Sequence, residues 1–239
     1  MPDSPYTHLL FDADNTLFDF DVAEAQSLSA VLEGIGKTMD RQTFNLYHHI
    51  NKKCWSDFEK GLLPQADIQI TRFTRFLKRL KSDADPVEAG AAYLNGLARC
   101  TVLVDGAVEM LKRCTAAGYQ LVVITNGLKE VQRTHFEQTR LTDYFSHIIV
   151  SDEIGFSKPH AAFFDYTFEA IGHPPKSAAL IIGDGLSSDI KGGMNYGVDT
   201  CWFNKRKMVE LPKAFRPTYR IDKLEELDDI LDSSHKKTT

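Results

Sequence analysis

No apolar stretch in this chain approaches the length needed to span a bilayer. Its opening residues, Met1-Pro2-Asp3-Ser4-Pro5, have neither the basic nor the apolar region of a secretory signal. Cysteine is scarce: Cys54, Cys100, Cys114 and Cys201 lie far apart and form no Cys-x-x-Cys pair. That argues against a disulfide framework or a zinc site, so reduced, partly buried thiols in the cytoplasm are expected. Positive charge is not in excess either. With 28 Lys and Arg against 33 Asp and Glu, the formal charge is −5. A nucleic-acid polymer or a membrane surface would favour a basic protein, so neither is an expected partner. A small anion remains possible, because a site can be locally positive on an acidic protein.

Hydrophobic residues make up 43% of the 239 and charged residues 26%, values that support a folded core. Short β-rich apolar runs recur at Thr7–Phe11, Gln120–Thr125, His147–Ser151, Ala178–Gly183, Thr200–Phe203 and Tyr219–Ile221. Helical patterns separate most of them, at Ala107–Ala117, Lys129–Thr139, Ala161–Ile171 and Ser188–Tyr196. Strands apolar on both faces that alternate with helices predict an α/β fold, a Rossmann-like doubly wound parallel sheet.

One interval breaks the alternation. About a hundred residues separate Phe11 from Gln120, far more than one crossover helix needs. Much of that stretch has helical period, through Leu28, Val31, Leu32, Tyr47, Phe73, Phe76, Leu77, Tyr93 and Leu97. The expectation is an inserted bundle of four or five helices over residues 19–100, with the sheet domain formed by 1–18 and 101–239. An insertion rooted beside a reactive centre is well placed to act as a lid. The polar tail, Ser233–Thr239, has no assigned role.

The reactive centre is suggested where Leu9-Leu10-Phe11 gives way to Asp12-Ala13-Asp14-Asn15-Thr16. Residues i and i+2 of an extended chain point the same way, so Asp12 and Asp14 can converge. Like charges that close raise one pKa unless a cation sits between them. Such a pair suits a carboxylate that attacks, a second that moves a proton, and a hard divalent metal. Taken alone, the motif reads equally well as a turn after a strand. Three further strand ends carry polar residues: Thr125-Asn126-Gly127; Lys158-Pro159 shortly after the third strand; and Gly183-Asp184, with Asp189 in the following turn. Each has a plain structural reading as a turn, a helix start or a helix cap. Together they place polar groups on one edge of a parallel sheet, the edge where ligands bind.

These four motifs, in this order, resemble those of the haloacid dehalogenase superfamily, and the resemblance covers essentially the whole chain. The helical insertion is similar to that superfamily's C1 cap. Phe11–Phe18 with Phe20-Asp21, and Asn51-Lys52-Lys53-Cys54-Trp55 in the cap, resemble the bacterial pyrimidine 5′-nucleotidases of the group. The resemblance implies that Asp12 forms an aspartyl-phosphate and that Asp14 serves as acid and then base. It implies Mg²⁺ on the Asp12 carboxylate, the Asp14 backbone carbonyl and the Asp184 carboxylate. It implies a phosphate cradle of Thr125, the Asn126 amide and Lys158, with Asp189 behind them orienting Lys158 or a metal-bound water. The implied substrate is a small phosphorylated metabolite, a pyrimidine nucleoside monophosphate, and the implied assembly a monomer or homodimer. Alternatives are a sugar-phosphate or phosphoglycolate phosphatase, a phosphomutase, and a non-enzymatic phospho-switch; Asp14 and Asp184 argue against a dehalogenase.

Two further expectations concern the cap. Trp55, Phe58, Phe73 and Phe76 offer either a stacking surface for a base or ordinary bundle core. Asn51, Lys52 and Lys53 either reach a base or phosphate or form a solvated face. Asn15, where many relatives carry Gly, Glu or Asp, is expected to tolerate an unusual backbone conformation.

Overall fold

The computed structural model describes residues 4–233; the tail expected to lack a role lies beyond them, apart from Ser233. The described residues form six strands: β1 (His8–Phe11), β2 (Gln120–Thr125), β3 (His147–Val150), β4 (Ala179–Gly183), β5 (Asp199–Phe203) and β6 (Tyr219–Ile221). The first helices are α1 (Phe20–Gly34), α2 (Arg41–Glu59), α3 (Gln65–Arg79) and α4 (Pro86–Arg99). They are followed by α5 (Ala107–Ala116), α6 (Lys129–Thr139), α7 (Ser151–Ile154), α8 (Ala161–Ala170), α9 (Lys191–Tyr196) and α10 (Leu227–Ser233).

The strands form one sheet in the order β3-β2-β1-β4-β5-β6, and every neighbouring pair is parallel. Alternation along each strand supplies both faces with apolar side chains. Leu9, Phe11, Leu121, Val123, Leu180 and Ile182 join a core closed by Met110 and Leu111 of α5, Phe136 of α6 and Leu227 of α10. Leu10, Val122, Ile124 and Ile181 face the other way, onto Phe163, Phe164 and Phe168 of α8. Each such buried Leu or Phe contributes about 1.5–3 kcal/mol, so burial on both faces selects a parallel sheet clothed by helices.

The connectivity matters for function. From β1 the chain winds outward to β2 and β3, then returns to place β4 on the opposite side of β1. The winding reverses at β1 and β4, and in open parallel sheets ligands bind beyond the carboxyl ends of the strands at that point. The register pairs Phe11 with both Val123 and Ile182, so Asp12 emerges from the sheet beside its central neighbours.

The chain divides into two compact units, one holding the sheet and one running from Phe20 to Val102. The second contains α1–α4 and no strand. Asp40 caps α2 by accepting from the Thr43 N–H at 2.7 Å, and Asp85 caps α4 through the Val87 N–H at 2.8 Å, with Pro86 in its first turn. Tyr47, Phe73, Phe76 and Tyr93 pack ring against ring at 5.1–6.4 Å in the bundle interior. Phe73 and Phe76 are therefore bundle core and offer no stacking surface, whereas Trp55 and Phe58 are half-buried and stand edge to face at 5.8 Å. Asn51 is buried too: it donates to Glu24 at 2.7 Å and accepts from Arg72 at 3.1 Å, as part of an internal polar cluster. Lys52 and Lys53 are exposed, and Lys53 pairs with Asp57 one turn on.

Candidate active site

Asp12 follows β1 directly, and its backbone N–H still bonds to the Ile182 carbonyl at 2.9 Å. The strand then breaks. Asn15 adopts φ of 60°, and the N–H groups of Leu17 and Phe18 turn back onto the Ala13 carbonyl. An L-residue in that region is strained unless it is Asn, Asp or Gly, as expected from the sequence. The Asn15 amide oxygen accepts from Lys205 at 3.0 Å, and the same ammonium group reaches Asp19 at 2.6 Å. Asp12 is 7% exposed and points to Lys158; Asp14 is half-buried and points to α6.

Lys158 is the electrostatic centre of the site. It is 1% exposed, and its Nζ donates to Asp12 Oδ1 at 2.7 Å, Asp189 Oδ1 at 2.6 Å and the Ile124 carbonyl at 2.6 Å. Burial favours the neutral amine, but two adjacent carboxylates outweigh it and hold the lysine pKa above its ordinary value. The loop carrying Lys158 is clamped by Asn126, whose side-chain oxygen accepts from the Lys158 N–H at 2.9 Å while its amide donates to the Lys158 carbonyl at 2.8 Å. Pro159 is joined through a cis peptide and precedes α8 rather than opening it.

Thr125 ends β2, and its hydroxyl oxygen accepts from the Gly127 N–H at 3.0 Å. The residues that follow β1 and β4 are linked by Thr16, which donates to Asp12 Oδ2 at 3.4 Å and accepts from the Asp184 N–H at 3.2 Å. Asp184 is half-buried, and its carbonyl accepts from the Trp202 indole at 3.1 Å. Beyond it the chain forms a wide π-type turn, Leu186–Ile190, where a regular helix from Ser188 was expected. The cause is Asp189, folded inward: its Oδ2 accepts the Gly185 N–H at 2.9 Å, and the Ile190 N–H reaches back to the Gly185 carbonyl at 3.1 Å. Burial and the Asp12 charge push Asp189 up, while Lys158 and the Gly185 N–H favour its charged form.

Asp12, Asp184 and Asp189 each present a carboxylate oxygen within 4.8 Å of the others. Three hard oxygen donors in that volume form a donor set suited to a small divalent cation. Asp14 has its pKa raised to about 6, first by burial and then by repulsion from Asp12. Two contributors were missed in the sequence. Thr16 was read only as part of a motif. Gln132, 1% exposed in the first turn of α6, donates from Nε2 to both Asp14 oxygens at 3.1 and 3.0 Å. The one available signal was a glutamine on the apolar side of a helix that follows a polar strand end.

Sheet topology, a carboxylate cluster at the winding reversal and a lysine from the third crossover together define a class of α/β hydrolase. The chain matches the family model for haloacid dehalogenase-like hydrolase over residues 6–197. It belongs to that family. It is 34% identical to pyrimidine 5′-nucleotidase YjjG of Escherichia coli, over 93% of this chain and 96% of that one. It is 33% identical to pyrimidine 5′-nucleotidase PynA of Streptococcus pneumoniae, covering 96% of each. Among solved structures, that of the magnesium-bound HAD-hydrolase YfnB from Bacillus subtilis superposes with a TM-score of 0.88 at 36% identity, covering 95% of this chain and 99% of that one.

Proposed function

We propose that this protein is a Mg²⁺-dependent phosphatase that hydrolyses pyrimidine nucleoside 5′-monophosphates through an aspartyl-phosphate on Asp12. The observation that carries the reading is the division of labour between two neighbouring carboxylates. Asp12 is fixed by Lys158, while Asp14 is held on a separate partner with a raised pKa. A nucleophile must be held in place and an acid must carry a proton, and a raised pKa on Asp14 suits the second role.

In the first step an Asp12 carboxylate oxygen attacks phosphorus. The bond to the leaving alkoxide breaks, and Asp14 gives that oxygen its proton. In the second step Asp14 takes a proton from water as the water oxygen attacks phosphorus. The Asp12–phosphorus bond breaks, releasing inorganic phosphate and regenerating the carboxylate. Thr125, the Asn126 N–H and Lys158 hold the remaining phosphate oxygens as charge redistributes. Mg²⁺ would be held by the Asp12 and Asp184 carboxylates and the Asp14 carbonyl, and when bound it supplies charge neutralisation. Asp189 accepts from Lys158 on Oδ1 and from the Gly185 N–H on Oδ2, contacts that suit it to orienting Lys158.

The names of the two nucleotidase relatives support the pyrimidine substrate. The four cysteines are free and buried, as suits a reducing cytoplasm, and no helix among the described residues is long and apolar enough to cross a membrane. A phosphatase screen over nucleoside monophosphates and sugar phosphates with Mg²⁺ tests the proposal. We expect UMP, dUMP or dTMP to exceed AMP and hexose phosphates in kcat/KM. Equal use of AMP and UMP, or preference for a sugar phosphate, defeats the specificity and leaves the phosphatase. No turnover of any phosphomonoester defeats both.

A further inference from the structure

Gln132 has no part in phosphate or metal binding, yet its contacts are unusual. A buried carboxamide straddles both oxygens of one carboxylate, with Nε2 at 3.1 Å from Asp14 Oδ1 and 3.0 Å from Oδ2. Its own Oε1 is buried with no hydrogen-bond partner among the described residues. An orphaned buried carbonyl oxygen is destabilising, so a glutamine serving packing alone is poorly explained here. The surroundings reinforce the constraint. A Cβ on Gly127 would stand 2.3 Å from Gln132 Nε2, so the turn after β2 leaves room for this amide and for nothing more. The Gln132 backbone is fixed as well, its N–H bonding to the Leu128 carbonyl at 3.0 Å as α6 begins.

We infer that Gln132 is a positioning residue: it clamps the Asp14 carboxylate in the orientation from which it serves the leaving oxygen. Without the clamp, an aspartate on a short side chain has several rotamers open to it. The effect is on orientation, so it appears only in steps where Asp14 moves a proton. The inference rests on the proposed acid-base role of Asp14.

The test uses Gln132→Met, which keeps the length and removes the donor, and Gln132→Asn, which keeps an amide but withdraws it by one methylene. Both are compared with Asp14→Ala on a nucleoside monophosphate and on an aryl phosphate, whose leaving group needs little protonation. For either Gln132 variant kcat/KM should fall about 10–100-fold on the nucleotide and less than about threefold on the aryl phosphate. The inhibition constant of inorganic phosphate and the Mg²⁺ concentration for half-maximal activity should not move. Equal losses on the two substrates, or an unchanged nucleotide rate, overturn the inference. If Asp14→Ala discriminates between the substrates and the Gln132 variants do not, the clamp alone is wrong. If Asp14→Ala itself fails to discriminate, the acid-base reading falls and the clamp with it.

Discussion

Asp14→Asn should disable the enzyme and stabilise the protein. Burial and the neighbouring Asp12 raise the Asp14 pKa from 3.8 to about 6 in the fold. An acid with a raised native pKa adds stability below the unfolded value, and that stability is lost as pH rises through the native one. That rise corresponds to about 3 kcal/mol of cost to the ionised form at pH 8 without metal. Partial solvent access and one weakened contact to Gln132 reduce the gain expected from the substitution to about 1–2 kcal/mol. The contact is not wholly lost, because the Gln132 amide can rotate and offer its unpartnered Oε1 to the new donor. For a chain of this length the gain corresponds to a rise in melting temperature of roughly 2–8 °C. Urea unfolding of both proteins in EDTA at pH 8 and pH 4.5 measures it. The variant should be the more stable at pH 8, with the difference shrinking at pH 4.5, where the native aspartate is already protonated. A difference that is equal at the two pH values, or a variant less stable at pH 8, would refute the assignment of Asp14 as a strained carboxylate.

Asp12→Asn should lower turnover at least roughly a thousandfold, about 4 kcal/mol in barrier, with the fold retained, as circular dichroism and steady-state kinetics would show; a tenth of the native rate would remove Asp12 as nucleophile. Lys158→Ala leaves Asp12 and Asp189 buried without their shared cation, so stability at pH 8 should drop by about 3–5 kcal/mol in denaturant titrations. That penalty should ease towards acid pH as Asp189 takes up a proton. Excess EDTA should abolish activity, and Ca²⁺ should restore it poorly, since it takes more ligands at longer distances than Mg²⁺. Full activity in EDTA would be the refuting result.

The sheet was legible in the sequence because its strands are apolar on both faces, and a two-sided apolar run has few alternatives once helices alternate with it. The order of motifs placed Asp12, Thr125 and Asp184 at strand ends for the same reason: polar residues are excluded from such strands and collect where they stop. The insertion was legible from helical period alone. The fate of its polar and aromatic residues was not. Asn51, Phe73 and Phe76 carry the same letters whether they face a ligand or the bundle interior, and only packing sends all three inside. The partners of the two aspartates were equally hidden. Period-two geometry brings Asp12 and Asp14 near enough to repel, yet one carboxylate meets Lys158 and the other meets Gln132, 118 residues further along the chain. Strand patterning is a local property that burial on both faces writes into a continuous apolar run. Which carboxylate meets which amide or ammonium group depends on contacts between distant segments, and those exist only once the sheet has brought its strand ends together.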